Sequence, residues 1–230
     1  MTSKGLVSLV LPCRNQADHI GRVLSGYLLA LNGMNLPFEL VVVPNASTDA
    51  TKETVEKLRE SDSRIRVVEN PLGGWGRSVR TGLAASRGTI LAYTNTARTD
   101  PTTIPAFVRS FQETGVGLVK ARREARHALL REFGSMLYNL VAKLCFRVNC
   151  RDVNGTPKIF ARSLYESAQL TSEGDLLDLE LMRHVAALGL SVSEIPVRGF
   201  ARHGGKSSTT VKSALKMYAG ALGMWLRDAA

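Results

Sequence analysis

Short apolar runs alternate, in the first half of the chain, with longer segments whose apolar residues recur at helical spacing. Residues 6–12, 40–43 and 90–93 are apolar runs without the polar alternation of a strand that has one face in water. Residues 17–31 instead place Ile20, Val23 and Leu24 at the spacing of a helix face. The alternation predicts an α/β fold with a mostly parallel central sheet and helices on both faces.

The same patterns predict the remaining elements. In the first half we expect helix 49–60, capped by Ser47 or Thr48, strand 65–68 and helix 76–86. The second half is less regular, and there we expect helix 101–114, strand 116–120, helix 125–146, a turn and strand within 153–160, helix 176–188, strand 191–197 and helix 211–226. A chain of 230 residues suits a single domain, 1–230.

Polar segments follow the predicted strands of the first half. Residues 12–16, 44–45 and 95–97 each come where a buried strand ends. In open sheets of this kind, ligands bind beyond the carboxyl ends of the strands. We therefore expect these segments to line one crevice.

Two of these segments carry a resemblance to a known family. Residues 38–51 have the sequence FELVVVPNASTDAT, and residues 89–101 have the sequence TILAYTNTARTDP. Both resemble family 2 glycosyltransferases of the dolichol-phosphate mannosyltransferase type, in which the similar stretches look like V-V-D-D-G-S-T-D-G-T and D-A-D-x-x-x-D-P. Weaker similarities follow in the same order at 14–16, 74–82, 152–160, 177–180, 194–197 and 204–207, so the resemblance extends from about 7 to about 208.

The resemblance implies a GT-A (Rossmann-like) fold, a nucleotide-sugar donor and transfer with inversion, often to a polyprenyl phosphate. It also implies a nucleotide-binding half at about 1–115 and an acceptor half at about 116–230. The donor site would then include the residues at and beside the strand ends: Pro12, Arg14, Gln16, Asn45, Ser47, Arg80, Asn95, Thr96, Ala97 and Arg98.

The acids that the family uses at this site are absent. The resemblance places nucleotide-binding acids at Gln16 and Asn45, and metal-binding acids at Asn95 and Ala97. A hard divalent cation requires anionic oxygen ligands, which neutral amides replace poorly. We therefore expect no divalent metal and no other cofactor, so the protein either transfers sugar without a metal or does not transfer sugar.

Fixed cations can stabilise a departing diphosphate in place of a metal. Arg14, Arg80 and Arg98 are candidates near the donor, although each can equally be a solvated surface charge. For an acceptor phosphate or the diphosphate, the candidates are Arg122, Arg123, Arg131, Lys158, Arg202 and Lys206.

Asp178 and Glu180 are the available carboxylates in a segment, 177–180, that resembles the F-D-x-E stretch of the family, and we take them as candidate general bases. They are two residues apart on a predicted helix and cannot share its face. An acceptor that is already an ionised phosphate would need no strong base.

Composition narrows the partners. The formal net charge of +10 favours polyanions such as nucleotide diphosphates or anionic lipid surfaces. Aromatic content is 6% and no nucleic-acid-binding motif is present, so we expect no nucleic acid. The three cysteines contain no C-x-x-C pair, which argues against a disulfide framework or a structural zinc site.

The N-terminal residues lack a signal-peptide pattern, and no apolar run is long enough to span a bilayer. We expect a cytoplasmic protein that can lie peripherally at the inner face of the membrane. The predicted last helix has an apolar face suited to a membrane interface, to the domain itself or to a second subunit in a homodimer.

The sequence leaves two main functions open. The first is metal-independent transfer of a sugar from a nucleotide sugar to a polyprenyl phosphate or small-molecule acceptor. The second is a catalytically inactive relative that binds a nucleotide, a lipid or a partner protein as a regulator or scaffold. A polyanion-binding module is a third, weaker alternative.

Overall fold

The computed structural model of the chain describes residues 5–124, 129–198, 203–204 and 211–228, without the side chains of 129–133, 211–215 and 228. The strands are β1 (Val7–Cys13), β2 (Phe38–Pro44), β3 (Ile65–Val67), β4 (Ile90–Tyr93), β5 (Leu118–Glu124), β6 (Lys158–Ala161) and β7 (Val192–Arg198). The helices are α1 (Ile20–Asn32), α2 (Thr51–Ser61), α3 (Trp75–Ala85), α4 (Ile104–Thr114), α5 (Leu129–Phe146), α6 (Arg162–Ala168), α7 (Leu177–Ala187) and α8 (Val211–Asp228), with a short 3₁₀ turn at Pro101–Thr103.

All seven strands form one sheet in the order β3-β2-β1-β4-β6-β5-β7. β1 to β4 are parallel, β6 is antiparallel to both of its neighbours, and β5 and β7 are parallel to each other. Every residue of β1, β2 and β4 is buried, as expected of strands that helices cover on both faces. The predicted α/β fold with a mostly parallel sheet is confirmed.

The sheet separates two apolar cores. One core lies between the sheet and α1, α2 and α4, and it contains Leu24, Val55 and Phe107. The other lies between the sheet and α3, α5, α6, α7 and α8, and it contains Leu83 and Met182. Among the described residues, none of the helices combines the length and the apolar character that crossing a bilayer requires.

Several predicted boundaries are wrong. Helix α1 begins at Ile20 rather than at residue 17, because the backbone of Gln16 and Ala17 is held by Thr51 and Asp49 in the next loop. Neither Ser47 nor Thr48 caps α2, which begins at Thr51.

In the second half, the predicted strand 116–120 is displaced. β5 runs from Leu118 to Glu124, so its end carries the basic residues Arg122 and Arg123. The predicted strand after the turn is present as β6, while α6 was not predicted at all.

Candidate functional site

The strand order reverses at β1, because the chain continues from β1 to β2 and β3 on one side and then returns to β4 on the other. The carboxyl ends of β2, β1 and β4 therefore lie side by side, which is where open sheets bind ligands. Backbone contacts join the loops that follow: Asn45 N donates to Cys13 O at 2.8 Å, and the Thr96 hydroxyl donates to Pro12 O at 2.8 Å.

The loop after β1 and the loop after β2 are bonded to each other. Asn15 Oδ1 accepts a hydrogen bond from Thr48 N at 2.9 Å, and Asn15 N donates to Ser47 Oγ at 3.2 Å. Asp49 Oδ2 accepts from Ala17 N at 3.0 Å. Although partial burial opposes it, hydrogen bonds from Thr51 and from the Ala17 backbone lower the pKa of the Asp49 carboxyl. The Ser47-Thr48-Asp49 motif is thus engaged in holding the two loops together.

Uncharged residues at this end of the sheet form a group that we call the neutral edge: Asn15, Gln16, Asn45, Asn95 and Ala97. Asn45 is buried and its Oδ1 accepts a hydrogen bond from Asn70 Nδ2 at 3.3 Å. Gln16 is buried, and its Oε1 has no hydrogen-bond partner among the described residues.

Asn95 and Ala97, where the sequence resemblance places metal-binding acids, do not fit a divalent cation. Asn95 Oδ1 accepts a hydrogen bond from Ala97 N at 2.9 Å, and the Ala97 side chain offers no ligand atom. In the part of the chain that the structure describes, no cluster of three or more histidine, cysteine or acidic residues is arranged to hold a metal. Pro12 and Thr96 are buried and bonded to each other, so they build this edge of the sheet.

Two predicted donor-site cations face solvent at this edge. Arg14 follows β1 and Arg98 follows β4, and both are exposed. Neither guanidinium forms an ion pair or hydrogen bond with the residues that the structure describes. The backbone of Arg98 is fixed beside the neutral edge, since its N–H donates to Asn95 O at 3.3 Å.

Arg80 lies elsewhere, on α3, and donates a hydrogen bond to Thr171 O at 2.8 Å. An open groove of about 510 Å³ beside it is lined by Arg77, Tyr165 and Glu166 among others. This groove lies over α3 and α6 and includes none of the loops at the carboxyl ends of β1, β2 and β4. The structure does not bring Arg80 into the crevice with Arg14 and Arg98.

The candidate base Glu180 binds backbone. Its Oε1 accepts hydrogen bonds from the N–H and hydroxyl of Thr171, both at 2.8 Å, and its Oε2 accepts from Ser172 N at 2.9 Å. Although burial opposes it, these bonds lower the pKa of the Glu180 carboxyl. Glu180 therefore anchors the segment before α7 and is a weaker base than an ordinary glutamate.

The candidate base Asp178 is enclosed by three side chains. Its Oδ1 accepts hydrogen bonds from Tyr93 Oη at 2.7 Å and from Lys158 Nζ, and its Oδ2 accepts from Trp75 Nε1 at 3.3 Å. The Lys158 side chain has 0% exposure, and burial lowers the pKa of its ammonium although Asp178 opposes this. Lys158 is consequently buried against Asp178, which contradicts its prediction as a phosphate contact on the crevice surface.

Lys158 belongs to a set of buried or partly buried ionic residues that we call the charged cluster: Lys120, Arg123, Asp152, Lys158, Asp178 and Glu194. Lys120 and Lys158 are directly opposite each other on β5 and β6. Lys120 is fully buried and its Nζ donates to Ala121 O at 2.9 Å and lies 3.3 Å from Glu194 Oε1. The sequence interpretation missed Lys120 and Glu194 as a pair, although a lysine in an apolar strand was a visible signal.

Arg123 makes a two-pronged ion pair with Asp152. Its Nε and Nη2 lie 2.7 and 2.6 Å from the two carboxylate oxygens. Although burial opposes it, the Arg123 guanidinium holds the pKa of the Asp152 carboxyl well below its usual range. Arg122 instead pairs with Glu124 at 3.1 Å. Of the residues predicted to bind an acceptor phosphate, Arg122 and Arg123 therefore have acidic partners. Arg131, Arg202 and Lys206 lie outside the described side chains.

His203 and Gly204 lie against the loop after β4. His203 N donates to Ala97 O at 2.9 Å, and its Nε2 lies 3.0 Å from Thr99 O. A Cβ on Gly204 would lie 2.6 Å from His19 Nδ1. His203 and Gly204 thus lie beside the neutral edge.

Helices α5 and α8 pack against each other and expose apolar side chains. Tyr138 and Tyr218 meet edge to face at 5.7 Å, and Tyr218 Oη donates to Gly134 O at 2.6 Å. We call the exposed apolar side chains of the two helices the apolar surface: Met136, Leu137, Leu140, Leu144, Leu222, Trp225 and Leu226.

Comparisons with known proteins give a consistent family. The family model for glycosyl transferase family 2 matches residues 8–167. The undecaprenyl-phosphate 4-deoxy-4-formamido-L-arabinose transferase of Shewanella sediminis is 24% identical over 195 residues, which cover 82% of this chain and 59% of that protein. The dodecaprenyl-phosphate galacturonate synthase of Rhizobium johnstonii is 25% identical over 172 residues, which cover 73% of this chain and 51% of that protein. The chain thus spans between half and three fifths of the length of these relatives.

Solved structures agree on the fold. The crystal structure of glucosyl-3-phosphoglycerate synthase from Mycobacterium tuberculosis in complex with Mn²⁺, UDP and glucosyl-3-phosphoglycerate has a TM-score of 0.75 and 22% identity. The match covers 95% of this chain and 79% of that one. With the family model matching well over half of the sequence, the conclusion is plain: the chain belongs to glycosyl transferase family 2.

Proposed function

We propose that this protein transfers a sugar from a nucleotide-sugar donor without a divalent metal. The observation that supports this most is the pairing of a neutral edge with the guanidinium groups of Arg14 and Arg98, which are exposed and have no partner among the residues that the structure describes. A departing nucleoside diphosphate gains negative charge, and fixed cations stabilise that charge when no metal does so. Asn95 and Ala97 cannot replace the anionic ligands of a divalent ion.

The acceptor in this proposal is a polyprenyl phosphate or another small phosphorylated molecule. The named activities of the Shewanella and Rhizobium relatives concern polyprenyl phosphates, which favours the lipid. A phosphate acceptor is already ionised at neutral pH, so it can attack without a free general base. This suits a site in which Asp178 and Glu180 are both engaged by other groups.

The apolar surface supports contact with a membrane. The helices that carry it also expose Lys143, Lys216 and Arg227, which anionic headgroups attract. Flotation with phosphatidylglycerol vesicles is expected to recover the protein, and Leu140→Glu combined with Trp225→Glu to abolish recovery. Leu29→Glu is the matched control, because Leu29 is exposed on α1 away from this surface. Equal flotation of all forms would exclude the apolar surface as the membrane-binding site. Loss of a dimer in the double variant would instead favour a contact between two subunits at this surface.

Calorimetric titration of nucleotide sugars tests the donor site. Saturable binding should be unchanged by EDTA, and incubation with an acceptor phosphate should release the nucleoside diphosphate. Asn95→Asp combined with Ala97→Asp should make binding respond to manganese. Binding by the native protein that requires manganese would refute metal independence, and the absence of any nucleotide binding would refute the donor site.

A catalytically inactive binding protein is the second candidate. The observation that favours it is the loop-to-loop bonding of Ser47, Thr48 and Asp49, which explains these residues without a ligand. Nucleotide binding without product release, for a panel of acceptor phosphates, would favour this alternative over the transferase.

A further inference from the structure

The backbone around Asn45 is fixed from both sides. Asn45 N donates to Cys13 O at 2.8 Å on the β1 side. On the β3 side, Asn70 N donates to Pro44 O and Ala46 N donates to Asn70 O, both at 2.9 Å. Asn45 directly follows the carboxyl end of β2 and is 9% exposed. The direction of its amide then decides what it offers to a ligand.

A chain of hydrogen bonds sets that direction. The single hydroxyl proton of Ser78 goes to Gly74 O at 2.9 Å, so Ser78 Oγ must accept from Asn70 Nδ2, which lies 2.9 Å away. The second Nδ2 proton of Asn70 goes to Asn45 Oδ1 at 3.3 Å. The acceptor atom of Asn45 is therefore engaged, and its Nδ2 has no partner among the described residues.

An amide in this position differs from a carboxylate in its hydrogen-bonding role, because an amide can donate whereas an ionised carboxylate only accepts. A carboxylate bonded to Asn70 would still offer a whole second oxygen as an acceptor, whereas Asn45 presents an NH2 donor there and keeps only the second lone pair of an oxygen already bonded to Asn70. Uracil and guanine carry a proton on the ring nitrogen of the base-pairing edge and require an acceptor there. Cytosine and adenine carry a lone pair on that ring nitrogen and require a donor.

Gln16 lies in the loop after the neighbouring strand β1 and presents a hydrogen-bond acceptor, whereas Asn45 presents a donor. Gln16 is 5% exposed, and its buried Oε1 has no hydrogen-bond donor in the described part of the chain. An unsatisfied buried acceptor is costly, and a ligand N–H group would relieve that cost. Cytosine and adenine both carry an exocyclic amino group next to the ring nitrogen that accepts.

We propose that the crevice selects a nucleobase with an accepting ring nitrogen beside an amino group, namely cytosine or adenine, with Asn45 donating to the ring nitrogen and Gln16 accepting from the amino group. The proposal rests on the nucleotide donor of the proposed function. Ser78 and Asn70 are positioning residues, because they act through the direction of the Asn45 amide.

The first test uses the native protein and needs no variant. Calorimetric affinities are measured for CDP, ADP, UDP and GDP under one set of conditions. CDP or ADP is expected to bind at least about tenfold more tightly than both UDP and GDP, since a site with unpaired polar groups rejects the wrong partner. The ratio between CDP and ADP then identifies which of the two bases fits the crevice.

Variants test the bonding pattern. Asn45→Asp restores an acceptor and is expected to reverse the preference toward UDP or GDP. Ser78→Ala removes the group that orients Asn70 and should reduce the ratio of CDP or ADP affinity to UDP or GDP affinity. A loss of folding alone would instead weaken the binding of all four diphosphates. Asn35→Asp is the matched control, because Asn35 is exposed before β2, at the opposite end of that strand, and the change should leave the ratio unaltered.

The outcomes separate this inference from the proposed function. Tightest binding of UDP or GDP by the native protein would overturn the base assignment and leave the nucleotide site standing. The same follows if Asn45→Asp keeps the native order of affinities while remaining folded by circular dichroism. If none of the four diphosphates binds, the proposed function and the base assignment fail together.

Discussion

The neutral edge and the charged cluster lie beside each other at the same end of the sheet, but they differ in charge: the cluster buries paired ions, whereas the neutral edge has only uncharged side chains. Tyr93, Lys158, Lys120 and Glu194 stand in one row across β4, β6, β5 and β7. In that row the two lysines are fully buried and Glu194 is partly buried, and each charge finds a partner within the protein. At the neutral edge, amides hold the loops and no buried charge needs compensation. The ionic groups of the charged cluster pair with one another, while Arg14 and Arg98 at the rim have no partner among the described residues.

The largest effect is expected from removing the partner of Lys158. Asp178→Ala leaves a buried ammonium without its carboxylate, and breaking such a pair costs about 3–5 kcal/mol of unfolding free energy. Urea denaturation at neutral pH measures this. Lys158→Met combined with Asp178→Leu should recover most of the loss, because no charge is then left buried. A stable Asp178→Ala protein would show that the cluster tolerates an unpaired lysine.

A smaller loss is expected at the edge of the cluster. Arg123→Met removes a two-pronged ion pair from Asp152, but the Arg123 side chain is 36% exposed, so water compensates in part. We expect about 2 kcal/mol, below the value for a fully buried pair. Arg122→Met is the control, since its pair with Glu124 is more exposed and worth about 0–1 kcal/mol. Equal effects of the two changes would contradict the structural role of Asp152.

The pH dependence of stability sharpens the contrast further. The pKa values of Asp152 and Glu180 lie below their ordinary values of 3.8 and 4.5 in the folded protein. Their stabilising contributions are therefore complete above those values and are lost as the pH falls below them. Thermal unfolding followed from neutral pH into this acidic range should show a falling melting temperature.

Glu180→Gln should reduce the slope of that acid limb by removing one of the two carboxyls. Glu60→Gln provides a matched control, because Glu60 is exposed on α2 and forms no ion pair or hydrogen bond with the residues that the structure describes. An unchanged slope in Glu180→Gln would mean that the bonds from Thr171 and Ser172 do not favour the ionised carboxyl.

The smallest effect on stability is expected at the rim. Arg98→Ala should change the unfolding free energy by less than about 0.5 kcal/mol, because the guanidinium has no partner among the described residues. It should nevertheless weaken nucleoside diphosphate binding by about 10- to 100-fold, as expected of one charge-assisted hydrogen bond of about 1.5–3 kcal/mol. Arg109→Ala, on the exposed side of α4, is the control. Unchanged affinity would remove Arg98 from the donor site.

The strands and most helices could be predicted because their apolar spacing is local. Strand β4 has the predicted limits, Ile90–Tyr93, and lies where the apolar run is uninterrupted. The start of α1 could not be predicted, since it depends on bonds from Gln16 and Ala17 to residues more than 30 positions away. The antiparallel direction of β6 is likewise set by its neighbours in space.

For the candidate site, the sequence placed the strand ends correctly but not the partners of the side chains. Asp178 and Lys158 were both predicted to serve chemistry, and the ion pair between them emerges only when α7 packs on the sheet. The hydrogen bond from Asn70 to Asn45 joins the loops that follow β3 and β2, so no local sequence pattern predicts it.

The close approach of α3 to the segment before α7 has a further consequence. A methyl group on Gly76 would lie 2.5 Å from Ser172 O, and Arg77 N donates to Glu173 O at 2.9 Å. Because this contact is so close, we expect α3 and the segment 172–173 before α7 to move as one unit. A conformational change that exposed the Asp178 carboxylate to an acceptor would therefore need a hinge outside this contact, so that α3 and the segment before α7 move together.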